Sequence, residues 1–593
     1  MAGTTFGRSG GVRRLARDLD WPGTPGMTTT TSSTLQTSAG RERWLFGPWL
    51  DLGLGCGVVY LITLPVLWVA TDLTGTTEWP AFAIVAMALL VNSPHYGATL
   101  LRVYEHRDDR RKYAVFSIWI TLALAVALVA STRSLWLSSL LLTAYVSWSP
   151  WHFAGQNYGL ALLFLRRRGI AFDATTKRLI HGSFVLSAAL TIVAIHTGHE
   201  GDVVYLPSTL STANTPTIFY LALPTGVERA LLSGLALAIL ACLVGAGWRL
   251  RRGATLRELA PALLIVTLQS IWYTVPVALL GLYEARSQTL VFGAIWISTA
   301  HSLQYLWVTS YYARDARSKG SVRLFLLKCF GAGVALDAVP LIVLAPHLFG
   351  AMPIDVGFAA TLFAVTNLHH FILDGAVWKL RDGRVARVLL RTEEAPLRPE
   401  PIDGRDPGRW ARRLVWSAVG LAVAAHGAQL VAEDVVERSQ SPARIDFAVQ
   451  VLRWTGHEGV GVHLGLGLRF AAAGDFARAA GHLERSIALF PTPRAWAELG
   501  GAYQAQGKLG RALDAFDAAL ALNPDFWGAH QRRAEVLLAL DPERSPQTLD
   551  AAIASLERAV ALAPERAAPA RRLAELRRQR VRSQAAGTRA GPG

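Results

Sequence analysis

Histidines at positions 95, 152, 301, 369 and 370 stand inside long apolar runs of this 593-residue chain. An imidazole in hydrocarbon is costly, so intramembrane histidines usually face a bundle interior, pair with one another and mark a working site. When the runs are laid into a bilayer, the four that hold these histidines all point the same way. His95, His152, His301 and His369 then fall about 13 to 18 residues from the outer ends of their runs, roughly 20 to 27 Å by helix rise. A common depth is what shared ligation of a metal requires.

Each histidine also has a polar neighbour one helical turn away, on the same face. Asn92 precedes His95, Gln156 follows His152, Gln304 follows His301, and Asn367 and Asp374 bracket His370. A ligating imidazole normally has its other ring nitrogen held by a carbonyl or carboxylate, and these amides are placed to do so. Asp374 is the candidate catalytic carboxylate, either as a direct ligand or as an orienting group. Neutral imidazoles with at most one carboxylate suit Fe(II), Zn or Cu, whereas Mg and Ca prefer oxygen-rich sites. The plainer reading of any one histidine is an interhelical hydrogen bond to an amide, worth under about 2 kcal/mol. Trp148, Trp151, Phe153 and Tyr158 surround His152, and Trp296, Tyr305 and Trp307 surround His301. They either line a pocket for a hydrophobic small molecule or act as packing and interfacial anchors.

The elements that must position these residues are transmembrane helices. The chain is 52% hydrophobic with a mean hydropathy of +0.30. Apolar stretches near or above the ~20 residues a crossing needs recur at 50–70, 80–104, 113–131, 134–165, 179–197, 227–248, 258–282, 288–310, 324–349, 355–375 and 412–432. The expected fold class is therefore all-α: a polytopic membrane domain of about 11 spans over residues 41–435, followed by a soluble helical solenoid. The stretch 134–165 is roughly 48 Å long as one helix, so a break or kink is expected at Pro150. A single net crossing there puts the Arg/Lys clusters on one side of the membrane, with the N-terminus cytoplasmic. The net charge of +16 comes mainly from short loops beside the spans, so a nucleic-acid partner is not implied. Cys56, Cys242 and Cys329 all lie in apolar runs, which supports neither a disulfide framework nor a thiolate zinc site. Residues 1–40 are polar, lack the apolar core of a signal peptide and are expected to be disordered; Met27 is an alternative start.

Past a linker at 436–457 the composition shifts to Ala, Glu, Arg and Leu, with an internal period of about 34 residues. Trp496, Leu499, Gly500, Tyr503, Ala512, Phe516, Ala519 and Pro524 mark the best copy. Gly467, Phe470, Ala479, Leu483 and Pro491 mark the copy before it, and Ala534, Leu537, Ala552, Leu556, Ala559 and Pro564 the one after, with extra residues around 542–547. Residues 458–580 thus resemble the tetratricopeptide repeat family, with a disordered tail at 581–593 expected beyond. The resemblance implies a concave surface for a protein or peptide partner. Arg412 and Arg413 precede the last span while Glu433, Asp434 and Glu437 follow it, which places this module outside the cytoplasm.

A second resemblance rests on Ser93-Pro94-His95-Tyr96-Gly97, Trp151-His152-Phe153-Ala154-Gly155 and His301-Ser302-Leu303. These islands are similar to motifs of the bacterial β-carotene 15,15′-dioxygenase family, polytopic enzymes that hold non-haem iron through histidines and cleave carotenoids. The resemblance implies an iron oxygenase acting on an isoprenoid or other lipid in the bilayer. This chain departs from the family at Tyr305, where a second histidine is usual, and at Asn367-Leu368-His369-His370 with Asp374, which has no counterpart. Two other functions compete with it: a proton-coupled transporter or flippase using the same groups, and a non-catalytic anchor for the repeat module.

Overall fold

The structure is a computed structural model that describes residues 43–63, 87–104, 112–197, 216–221, 223–274, 287–316, 321–344, 357–378, 388–390 and 409–589. The expected disorder of residues 1–40 lies outside the described residues. All regular structure among the described residues is helical. In the first part these helices are α1 (Ser93–Tyr104), α2 (Thr121–Ser131), α3 (Leu135–Arg167), α4 (Ala174–Thr197), α5 (Thr225–Arg251), α6 (Leu256–Gln269), α7 (Ser287–Ala316), α8 (Val322–Val343), α9 (Phe358–Val377) and α10 (Arg409–Arg438). Local chemistry sets several of their starts. The Ser134 hydroxyl accepts from the Leu137 amide at the head of α3, and Thr255 with Glu258 forms a capping box at the head of α6.

Four helices among the described residues are long and apolar enough to cross a membrane: α4, α5, α8 and α10. This corrects the expected count of about 11. Several of the other runs pass through residues outside the described set. The histidine-bearing helices α3 and α9 fall short because polar side chains interrupt their apolar runs; α3 alone carries Ser147, Ser149, His152, Gln156 and Asn157. The segment at 134–165 is one continuous 33-residue helix that runs through Pro150 without a break.

Glycines let two pairs of backbones approach closely. A methyl group added at Gly97 of α1 would lie 1.8 Å from the Cys329 carbonyl oxygen of α8, and one at Gly333 of α8 would lie 1.6 Å from the Ser93 carbonyl oxygen. The two contacts run in opposite senses along the chain, so α1 and α8 are antiparallel in the small-residue packing common between membrane helices. On its other side α8 meets α10, with Lys328 over the Trp416 ring and Gly331 beside Val419; these step in the same sense, so the pair is parallel. Helix α1 is entered through a π-type turn at Ala88–Asn92, where the Ser93 hydroxyl donates to the Ala88 carbonyl at 3.2 Å. Such turns often occur beside functional residues. Helix α9 lies against α1, α2 and α3, and α7 against α1.

The C-terminal part continues with α11 (Pro442–Trp454), inside the expected linker, and then α12 (Val460–Ala472), α13 (Phe476–Leu489), α14 (Pro493–Ala505), α15 (Leu509–Leu522), α16 (Trp527–Leu540), α17 (Pro546–Leu562) and α18 (Ala567–Arg589). Helices α12 to α17 make three antiparallel pairs. Small residues receive large ones within them: Leu483 and Phe516 sit so close to Gly467 and Gly500 that an added methyl group would fall 2.6 and 2.8 Å away. The third pair closes around buried Ala534, Ala552 and Leu556. Helix α18 runs on to Arg589, past the boundary expected at 580. Gly456, between α11 and α12, has φ +77°, and an added methyl group there would lie 2.1 Å from the Leu341 carbonyl oxygen near the end of α8.

Candidate metal centre

His95 on α1, His152 on α3, His301 on α7 and His370 on α9 converge. Their ring centroids are 4.1 Å apart for His95 and His370, and 5.0 Å for His95 and His301, His152 and His301, and His152 and His370. The ligand atoms of His95, His301 and His370 lie within 4.8 Å of one another, and so do those of His152, His370 and Asp374. His369 is not part of the cluster. It points to a different face of α9, where its Nε2 is 2.9 Å from the Thr121 hydroxyl. Neighbours in a helix are about 100° apart, so only one of the His369/His370 pair can face the centre.

The amides do other work than expected. Gln156 donates to the His301 carbonyl at 3.2 Å and to Gln304 at 3.3 Å. Gln304 donates to the Gly55 carbonyl at 3.1 Å, and Asn367 accepts from the Tyr96 hydroxyl and donates to the Phe363 carbonyl. Asn92 Oδ1 is buried with no hydrogen-bond partner. The amides therefore fix helices to one another, and none of these bonds reaches an imidazole nitrogen.

Thr99 and Tyr305 hold the centre instead, and the sequence reading missed this role for both. Tyr305 donates to Asp374 Oδ1 at 2.7 Å, Thr99 donates to the same oxygen at 2.9 Å, and the Trp378 indole donates to the Tyr305 hydroxyl at 2.8 Å. The Thr99 oxygen is also 2.9 Å from His370 Nδ1. Threonine has one hydroxyl proton. The Thr99 oxygen is also 2.7 Å from the Tyr305 hydroxyl, so its one proton has Asp374, Tyr305 and His370 Nδ1 as neighbours. His370 Nε2 lies 3.4 Å from Asp374 Oδ2 with no hydrogen bond between them, a close buried pair of polar atoms that a cation would join.

The remaining nitrogens make the same case. Both ring nitrogens of His95 and of His301, and Nε2 of His152 and of His370, are buried without a hydrogen-bond partner. An unsatisfied buried polar group costs about 1–3 kcal/mol, and a cluster of them is a strong exception to ordinary packing. The donor set fits a metal such as Fe(II), Zn or Cu: imidazole nitrogens, one carboxylate, and a hydroxyl 2.9 Å from the second ring nitrogen of His370.

Beside the cluster lies a cavity of about 320 Å³, with His152, Tyr305 and Asp374 on one wall and Trp148, Trp151, Leu163, Val308 and Phe371 among its apolar lining. Of the other aromatic residues singled out from the sequence, Trp307 donates instead to buried Asp51 at 3.0 Å, and Tyr158 packs against His181.

The C-terminal part holds a second buried polar group. Glu458 accepts from Arg485 at 2.8 and 2.7 Å and lies 3.2 Å from His463 Nε2, and His463 Nδ1 is 3.1 Å from His482 Nδ1.

Comparison with known proteins bears on this C-terminal part. Residues 464–525 and 500–541 match the tetratricopeptide repeat family. The C-terminal region therefore carries tetratricopeptide repeats, as its 34-residue period predicts. Among solved structures, one similar chain is the first TPR of Spaghetti (RPAP3) bound to the HSP90 peptide SRMEEVD; it is 21% identical, with 20% of this chain and 91% of that one covered and a TM-score of 0.19. No curated protein sequence matches this chain.

Proposed function

We propose that the chain is a membrane-embedded non-haem metal oxygenase acting on a lipid or isoprenoid substrate, with a repeat module that recruits a protein or peptide partner. The observation that carries this reading is the convergence of unpartnered imidazole nitrogens from four helices, with those of His152 and His370 within 4.0 Å of Asp374 Oδ2. In this reading His95, His152, His301 and His370 hold the ion, Fe(II) by preference, and Asp374 either joins them or orients the site. Bound iron supplies redox chemistry with dioxygen. The chain's own residues do the rest. Thr99 and Tyr305 hold Asp374 Oδ1, which turns Oδ2 toward His152 and His370. Thr99 holds the His370 ring through Nδ1, and Phe153 and Phe371 pack on the histidine rings and exclude water.

The four apolar helices support a membrane location. The charge asymmetry across α10, Arg412 and Arg413 at its start against Glu433, Asp434 and Glu437 near its end, supports an extracytoplasmic repeat module. A solenoid of this kind buries its own core and offers a concave face to a partner.

The test is dioxygen consumption by the purified protein supplied with Fe(II) and an extract of apolar membrane lipids. The reading expects consumption coupled to an oxidised lipid product and abolished in His301→Ala. Equal rates in both proteins would remove it.

A further inference from the structure

We infer that the face of α3 and α9 bearing Gly155, Gly159 and Gly375 is the binding track of a long, slender apolar chain that enters sideways from the lipid and passes His152 and Asp374. This deepens the proposed function and rests on it only for what happens to the chain once bound.

The cavity beside the histidines carries the argument, and three glycines that line it shape it. A methyl group added at any of them meets nothing within 4 Å, in contrast to Gly97 and Gly333, where it would strike a backbone carbonyl. Glycine weakens a helix interior relative to alanine, and here no close helix contact requires it. What these positions provide is empty volume. Gly155 and Gly159 are one turn apart on the face of α3 that also bears His152, and Gly375 follows Asp374 on α9. All three line the cavity of about 320 Å³, a volume in the range of small-molecule sites.

The cavity also has a direction and an entrance. Its lining on α3 extends from Trp148 to Leu163, about 22 Å of helix by rise, so it suits a chain rather than a compact molecule. Trp148 and Trp151 are 39% and 50% exposed, which leaves that end open at the side of the helix. His152 lies about one turn from Trp148, so the track presents to the metal centre a bond near one end of the chain. The polar groups of the lining cluster at His152, Gln156, Tyr305 and Asp374, and the rest is mainly aromatic and aliphatic. Acyl lipids and isoprenoids share the required chemistry.

The experiment uses the full chain in phosphatidylcholine vesicles with two photoreactive probes, a diazirine-bearing straight acyl chain and a diazirine-bearing isoprenoid alcohol, and locates cross-links by mass spectrometry. Labelling is expected to concentrate in 148–163 and 371–378 and to fall at least tenfold in Gly155→Leu/Gly159→Leu, with metal content and size-exclusion profile unchanged. The probe that labels more strongly identifies the source of the chain. Labelling that persists in metal-free His370→Ala upholds the track independently of the metal, and labelling of a wild-type protein that purifies without metal upholds the track while the oxygenase reading fails. Labelling spread evenly over lipid-facing helices, or equal in wild type and the double variant, overturns the track.

Discussion

Tyr305 donates its hydroxyl hydrogen to Asp374 Oδ1 at 2.7 Å, and each of these residues lies one helical turn beyond a histidine of the cluster, His301 on α7 and His370 on α9. Tyr305→Phe removes one of the two donors to Oδ1 and leaves Thr99. Loosening a group that orients a metal site typically weakens metal affinity about 10- to 100-fold. Metal titration of the variant should show that loss with the helical circular dichroism spectrum preserved. Unchanged affinity would mean that Asp374 does not depend on Tyr305.

His369 and His370 are adjacent and face about 100° apart on α9, so they should behave differently. His370→Ala is expected to abolish metal binding. His369→Ala loses one hydrogen bond to Thr121, worth about 1 kcal/mol, and should bind metal as wild type does. Metal content of the two variants after identical purification checks this; equal loss in both contradicts the assignment.

The glycines divide into two groups with opposite expected responses. Gly97→Ala and Gly333→Ala force α1 and α8 apart and should destabilise the protein by roughly 2–3 kcal/mol each, as overpacking does. Gly155→Ala adds a methyl group into open space within a helix and should be neutral or slightly stabilising. Thermal unfolding in detergent separates the two responses.

Glu458 predicts an acid-sensitive repeat module. Burial raises its carboxyl pKa, but hydrogen bonds from His463 and Arg485 outweigh that and bring it down to about 2. The folded value lies below the ordinary 4.5. The stabilisation is therefore fully present above that value and drains away as pH falls from it toward about 2. Glu458→Gln should flatten this part of the pH profile and destabilise the module by roughly 1–2 kcal/mol at neutral pH, because the partly exposed Arg485 loses its charged partner but stays partly solvated. Pressure-free thermal melts of the full chain across pH, followed by circular dichroism, provide the measurement.

Much of the site was legible in the residues, for a geometric reason. His95, His152, His301 and His370 interrupt apolar runs at similar distances from the ends of those runs, and such distances follow from residue counting. The repeats were legible because Gly467 with Leu483, and Gly500 with Phe516, are local small-to-large pairings inside one helical hairpin. Partner choice was not legible. Gln156, Gln304 and Asn367 have the right spacing to hold imidazoles, yet they bond across to carbonyls, hydroxyls and each other, because rotation of each helix about its axis is set by packing such as Gly97 on Cys329. The signal for Thr99 and Tyr305 was present in the same one-turn spacing from His95 and His301. It was hidden because a threonine and a tyrosine in an apolar run read as packing. The span count was too high because hydropathy along the chain credits polar-interrupted helices such as α3 and α9 as fully apolar.

The central claim is that the four convergent histidines hold a metal ion, and elemental analysis of the full chain purified without chelators tests it most directly. The account predicts about one transition-metal ion per chain, absent from His301→Ala and His370→Ala and retained in His369→Ala. Wild-type protein without stoichiometric metal, together with a His301→Ala variant of equal thermal stability, would contradict it.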